Sequence, residues 1–229
     1  MTTATNARHK GPHAGALAII FTFLFITGLS FVVTSSAASA HFPGPWESAE
    51  TIMGYFRNYP HDTLLCAFFQ FASAIPLGLF TVTMVSRLQF LGINAAGPFI
   101  ALFGGVMTAF NVVLSSLILW VMAYPGIAQD GSVVRTLYYI AFGVGGVGYS
   151  VPLGLLIAGI AVPAGLMKLL PKWLVGTGLL LALCGELSTL SLLFPKLVYL
   201  IPLTRFPGFI WLILVGFLLP KTKTHAIPE

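Results

Sequence analysis

Six apolar runs, each long enough to cross a bilayer, follow one another along this chain: about Ala14 to Val33, Thr63 to Val85, Pro98 to Val121, Thr136 to Leu166, Trp173 to Phe194 and Tyr199 to Leu219. Proline, glycine or charge closes each run. At 1.5 Å per residue, about 20 helical residues cross the roughly 30 Å hydrocarbon core, where a helix satisfies its own backbone hydrogen bonds. Charged side chains make up 7% of the sequence, against roughly 25% of a soluble domain, so the chain can cover itself only with lipid or with other membrane subunits. The expected fold is all-α: a polytopic membrane protein, a six-transmembrane-helix bundle with short loops, forming one membrane domain over residues 1–229. The fourth run is longer than a bilayer needs and should tilt or project, with kinks at Pro152 and Pro163.

Orientation follows from the basic residues, because Lys and Arg collect in cytoplasmic loops and acids count for little. Alternation of the spans puts Arg8, Lys10, Arg87, Lys168, Lys172, Lys221 and Lys223 on one side, and Arg57, Arg135, Lys196 and Arg205 on the other. Seven against four places both termini in the cytoplasm. The first run has an alternative, since Arg8 and Lys10 precede it and Ala38-Ser39-Ala40 follows it, a pattern shared with cleaved signal peptides. Its apolar stretch is longer than a signal core of about 7 to 15 residues. It therefore reads as an uncut anchor, with cleavage after Ala40 as the alternative. From Trp46 to Tyr59, apolar Ile52, Met53, Tyr55 and Phe56 stand beside Glu47, Glu50 and Arg57, as in a short amphipathic helix lying along the outer interface.

Close helix packing has a sequence signature in the fourth run, where Gly146, Ser150, Gly154 and Ala158 place a small residue at every fourth position. Where lipid removes the hydrophobic incentive, such a strip lets a neighbouring helix approach. Ile75-Pro76-Leu77-Gly78-Leu79 in the second run is echoed by Val151-Pro152-Leu153-Gly154-Leu155 in the fourth, so a duplicated helix pair and chance are both open. Cys66 and Cys184 fall at different depths and read as small core residues rather than a bridge.

Polar side chains inside spans are costly unless partnered, and so mark candidate sites. Gln70, Asn111, Tyr149 and Glu186 all fall between the bilayer middle and its outer half. They form either a ligand or ion cavity open to the outside or a set of interhelical hydrogen bonds. Glu186 is the only acid inside a span, and Arg205 is its expected partner, because the two lie about nine residues either side of the turn Phe194-Pro195-Lys196.

Several chemistries are excluded. His9, His13, His41, His61 and His225 all lie outside the runs, so no pair of them can ligate an intramembrane haem. No Cys/His cluster has zinc spacing, and no phosphate-binding loop or nucleophile elbow occurs. Gly143, Gly145, Gly146 and Gly148 mimic a dinucleotide motif but sit inside a span. Eleven scattered Lys and Arg do not make a nucleic-acid surface. Neither a cofactor nor a metal is expected, and no catalytic constellation stands out. The expected partners are the lipid bilayer and other membrane-protein subunits, or a second copy of the chain.

Ser86-Arg87-Leu88, Gly104-Gly105, Leu170-Pro171-Lys172-Trp173-Leu174, Gly185-Glu186-Leu187-Ser188-Thr189-Leu190 and Pro202-Leu203-Thr204-Arg205-Phe206-Pro207-Gly208 followed by Trp211-Leu212 together resemble a group of bacterial multi-pass integral membrane proteins of the domain-of-unknown-function type. The resemblance covers roughly Thr63 to Pro220. It implies a helical bundle in a bacterial inner membrane and carries no activity. The expectation is a non-enzymatic accessory or regulatory partner of other membrane proteins. The alternative is a small transporter or ligand-binding protein built around Glu186.

Overall fold

The computed structural model describes residues 5–39 and 41–225. The helices are α1 (Ala14–Ser39), α2 (Ala49–Asn58), α3 (Pro60–Phe90), α4 (Ala96–Met122), α5 (Gly131–Gly145), α6 (Val147–Leu166), α7 (Lys172–Leu187) and α8 (Leu200–Leu218). Three short 3-10 segments, Ile127–Gln129, Ser188–Leu192 and Pro195–Tyr199, lie in the connections. A ribbon of β1 (Thr5–Arg8) and β2 (Thr222–His225) pairs the two ends of the chain antiparallel. Six helical segments are long and apolar enough to cross a membrane, α5 and α6 counting together as one. The fold is an all-α helical bundle and the chain is a multi-pass membrane protein. Its exposed large side chains are consistent with this, since Phe23, Phe68, Leu180 and Ile210 each show about three-fifths of their surface or more, an arrangement suited to lipid rather than water.

The chain divides into two compact units. One comprises Met1–Ile19, Leu77–Val106 and Val151–Glu229. Its centre is α6, whose Leu153, Leu156, Ile157, Ile160, Ala161 and Ala164 are fully buried. Backbones approach closely there. A methyl group at Gly104 of α4 would lie 2.5 Å from both the Pro152 carbonyl oxygen and the Leu156 nitrogen, and one at Gly159 would lie 2.4 Å from the Ala101 nitrogen. On α6, Gly154 faces α7, where an added methyl would meet the Ala182 carbonyl oxygen at 2.9 Å. Trp211 of α8 lies over Gly178 and donates its indole N–H to the Leu174 carbonyl at 2.8 Å, locking α8 to α7.

The second unit comprises Ile20–Pro76 and Met107–Ser150. Here α2 starts at Ser48, whose hydroxyl accepts from the Thr51 N–H at 3.2 Å and so satisfies one orphan donor of the first turn. Ile52, Tyr55 and Phe56, spaced i, i+3, i+4, join a buried cluster with Met122, Val134, Tyr138 and Ala141. The apolar face expected to rest on lipid thus meets protein. Burial raises the pKa of the Tyr55 hydroxyl, which donates to the Val32 carbonyl at 3.2 Å. Tyr138 donates to the Pro43 carbonyl at 2.6 Å, and Arg57 donates through Nε to the Ala128 carbonyl at 2.8 Å. His41 and Glu47 pair at 2.8 Å, and the Gly44 N–H, followed by His41, holds the Glu47 carboxyl below its ordinary range.

The fourth span departs from expectation in a specific way. It begins earlier, at Gly131, and breaks at Gly146, where φ −93° and ψ −93° turn the chain between α5 and α6. The helix then runs on through both Pro152 and Pro163. Glycine, not proline, makes the break, because its missing Cβ removes the steric cost of leaving the helical well. The fifth and sixth spans end and begin in 3-10 turns around Phe194. Cys66 is buried, Cys184 is half-buried, and both are free thiols. The candidate cleavage site after Ala40 ends on a residue outside those described.

Candidate functional site

Of the polar residues singled out in the spans, Gln70, Asn111 and Tyr149 belong to one compact unit, and Glu186 and Arg205 to the other. Within the second unit, Asn111 of α4 donates its side-chain amide to the Gly148 carbonyl. That carbonyl is the one an unbroken α-helix would pair with residue 152, and Pro152 has no N–H to offer. One turn along α4, Ser115 donates to the Ala141 carbonyl at 3.0 Å. Gly145 leaves the space for this, since a methyl there would lie 2.5 Å from the Ser115 oxygen. Two polar side chains of α4, spaced i and i+4, thus serve backbone carbonyls on either side of the Gly146 break. In hydrocarbon no water can do so.

Gln70 lies half-buried on α3, its side-chain methylene 3.1 Å from where a methyl at Gly28 of α1 would sit. Ser73 turns back to the Gln70 carbonyl at 2.6 Å. Tyr149 is buried, its ring 6.1 Å from that of Phe25. Gln70, Asn111 and Tyr149 each touch a neighbouring helix.

Glu186 stands in the last turn of α7, exposed, with one carboxylate oxygen near Gly154 of α6. Arg205 is half-buried on α8. No ion pair joins Glu186 to Arg205 among the described residues. Counting residues from a turn sets depth along two antiparallel helices but not the direction in which each side chain leaves its helix. The intervening 3-10 segments also rise about 2 Å per residue rather than 1.5 Å, which shifts the count. With no shared bond, Glu186→Gln and Arg205→Leu should change the melting temperature additively in one detergent. A double variant recovering most of the loss would restore the pair.

The small-residue strip is likewise divided. Gly146 forms the break and Ser150 is fully buried in one unit, while Gly154 meets α7 and Ala158 is half-buried in the other. The tightest approach of α4 and α6, at Gly104 and Gly159, was not singled out from the sequence. Its signal was present in Gly97, Ala101 and Gly105, small residues at the same four-residue spacing in the third span. Nor does the Pro76/Pro152 echo carry equal packing, because Gly78 has open space where Gly154 has α7.

Open clefts are found in the second unit. One, of about 580 Å³, is an apolar groove between α3 and α4 walled by Phe68, Phe71, Leu117 and Trp120, with Ala67 and Ser116 in its lining. Another, of about 590 Å³, is lined by Glu50, Met53, Ser132, Arg135 and Tyr139. Among the described residues, no three His, Cys, Asp or Glu side chains gather in a way that could hold a metal ion. Comparison with protein-family models, curated proteins and solved structures returns no match to this chain.

Proposed function

We propose that this chain is a non-enzymatic accessory or regulatory partner of other membrane proteins, akin to the bacterial multi-pass proteins it resembles. Its membrane would be the bacterial inner membrane, with both termini cytoplasmic. The observation that carries the reading is the groove between α3 and α4. Ala67 and Ser116, both buried, lie between the exposed side chains of Phe68, Leu117 and Trp120. Small residues beside large ridges accept a helix, since packing rather than hydrophobicity drives association in lipid. The intramembrane amide of Asn111, which a transport site would need free, is committed to the Gly148 carbonyl.

A photo-crosslinking benzophenone side chain placed at Phe68 in the intact membrane tests this. The expected result is one dominant protein adduct, absent when the same group is placed at Leu180, which is equally exposed. Lipid adducts alone at both positions would refute the reading. A transporter or ligand-binding function remains the second reading, favoured by the exposed carboxylate of Glu186 on a span.

A further inference from the structure

At the end of the first unit where α3 and α8 stop and α1 starts, the chain gathers positive charge that no ion pair among the described residues neutralises. Arg87 is 1% exposed, yet it lies in the last turn of α3 and donates to the carbonyl of Gly216 on α8 at 3.1 Å and to that of Leu219, just past the end of α8, at 3.5 Å. Those bonds place its charge where a helix C-terminus favours a cation. Its Nε has no hydrogen-bond partner.

The ribbon of β1 and β2 brings further cations there. Its register pairs Ala7 with Lys223 and Arg8 with Thr222, and the His9 N–H continues the ladder to the Lys221 carbonyl at 2.8 Å. Alternation along a strand then puts His9, Lys221 and Lys223 on one face and Arg8, Lys10 and Thr222 on the other. Burial agrees, since the first three are half-buried and the second three exposed.

His9 meets the Ser86 hydroxyl at 3.0 Å, beside Arg87. The Lys223 ammonium reaches the turn after α3, 3.1 Å from where a methyl at Gly92 would stand. Burial, and then the charge of Arg87, lower the pKa of His9. Burial, and then Arg87 and Arg8, lower that of Lys221. Among the described residues, no salt bridge answers these cations.

We propose that His9, Ser86, Lys221 and Lys223, set over the buried Arg87, form a binding site for the phosphate of an anionic phospholipid headgroup. The cations lie where Ala14, Phe90 and Leu218 end their spans, which is the depth at which headgroup phosphates lie. Hydroxyl, imidazole and ammonium groups are suited to phosphate oxygens. The buried guanidinium supplies a field that water screens poorly.

The test uses the full chain in a mild neutral detergent and counts lipids retained by native mass spectrometry. Phosphatidylglycerol, phosphatidylcholine and sodium phosphate are added in parallel. One phosphatidylglycerol should be retained in preference to phosphatidylcholine. Lys221→Gln with Lys223→Gln should weaken retention roughly 25-fold, the effect of two basic groups near a membrane surface. Arg8→Gln with Lys10→Gln removes equal charge from the outward face and should leave retention within a few-fold of the parent. Equal loss in both pairs would overturn the site in favour of diffuse attraction. Displacement of the lipid by millimolar phosphate would assign the site to a free anion and overturn the lipid claim. Equal retention of the two lipids by the unmodified protein would overturn it without any variant.

Discussion

Gly104→Leu should cost about 3 kcal/mol, at the upper end of what overpacking costs, or prevent the bundle from forming. Even a methyl at this position would come within 2.5 Å of backbone atoms of α6, the Pro152 oxygen and the Leu156 nitrogen. Backbone cannot rotate away as a flexible side chain can, so α4 and α6 must separate. Separation would uncover Leu153, Leu156 and Ile157, which are now fully buried. Gly154→Leu should be milder, because its nearest backbone atom, the Ala182 oxygen, stands at 2.9 Å rather than 2.5 Å and the next is the far end of the Glu186 side chain. Gly176→Leu on α7 is the control, since no atom lies within 4 Å of a methyl there. It should melt like the parent or slightly higher, as leucine is the better helix former. Thermal unfolding of the three variants in one detergent decides the matter. An unchanged melting temperature for Gly104→Leu would show that α4 and α6 do not pack through this contact.

Asn111→Leu should cost about 2 kcal/mol, more than the roughly 0.6 kcal/mol average for an interhelical hydrogen bond in a membrane. That average is low because separated helices find other partners for their polar groups. Here the acceptor lacks the i+4 donor of its own helix. Pro152 withholds the N–H that would pair with the Gly148 carbonyl, in the separated helix as in the bundle. Restoring that N–H should remove the dependence, so Asn111→Leu should cost much less in a Pro152→Ala background. Denaturant unfolding of the four proteins in the cycle measures the coupling. A cycle closing to zero would show that Asn111 acts on something other than this carbonyl.

The number of spans and their approximate limits were legible in the sequence, because hydropathy over about 20 residues is a local property and the bilayer sets one length for all of them. α1, α3 and α4 contain the runs beginning at Ala14, Thr63 and Pro98. The amphipathic pattern around Ile52, Tyr55 and Phe56 likewise announced a short helix, though not that protein would cover its apolar face.

What a side chain meets across the bundle could not be read in this way. Glu186 and Arg205 matched in depth and yet form no pair, because helix rotation is set by packing such as Trp211 over Gly178. Asn111 was legible as a polar group that needs a partner, but its partner, a carbonyl whose helical donor is replaced by a proline 41 positions away in the sequence, was not. Arg87 read as an ordinary cytoplasmic charge, and only the fold puts it under the carbonyls of α8. Composition and periodicity dictated that this chain becomes six membrane helices, since each helix closes its own backbone hydrogen bonds. Tertiary structure decided where the fourth breaks, which glycines touch and which polar groups are committed, since those depend on atoms brought together from distant parts of the chain.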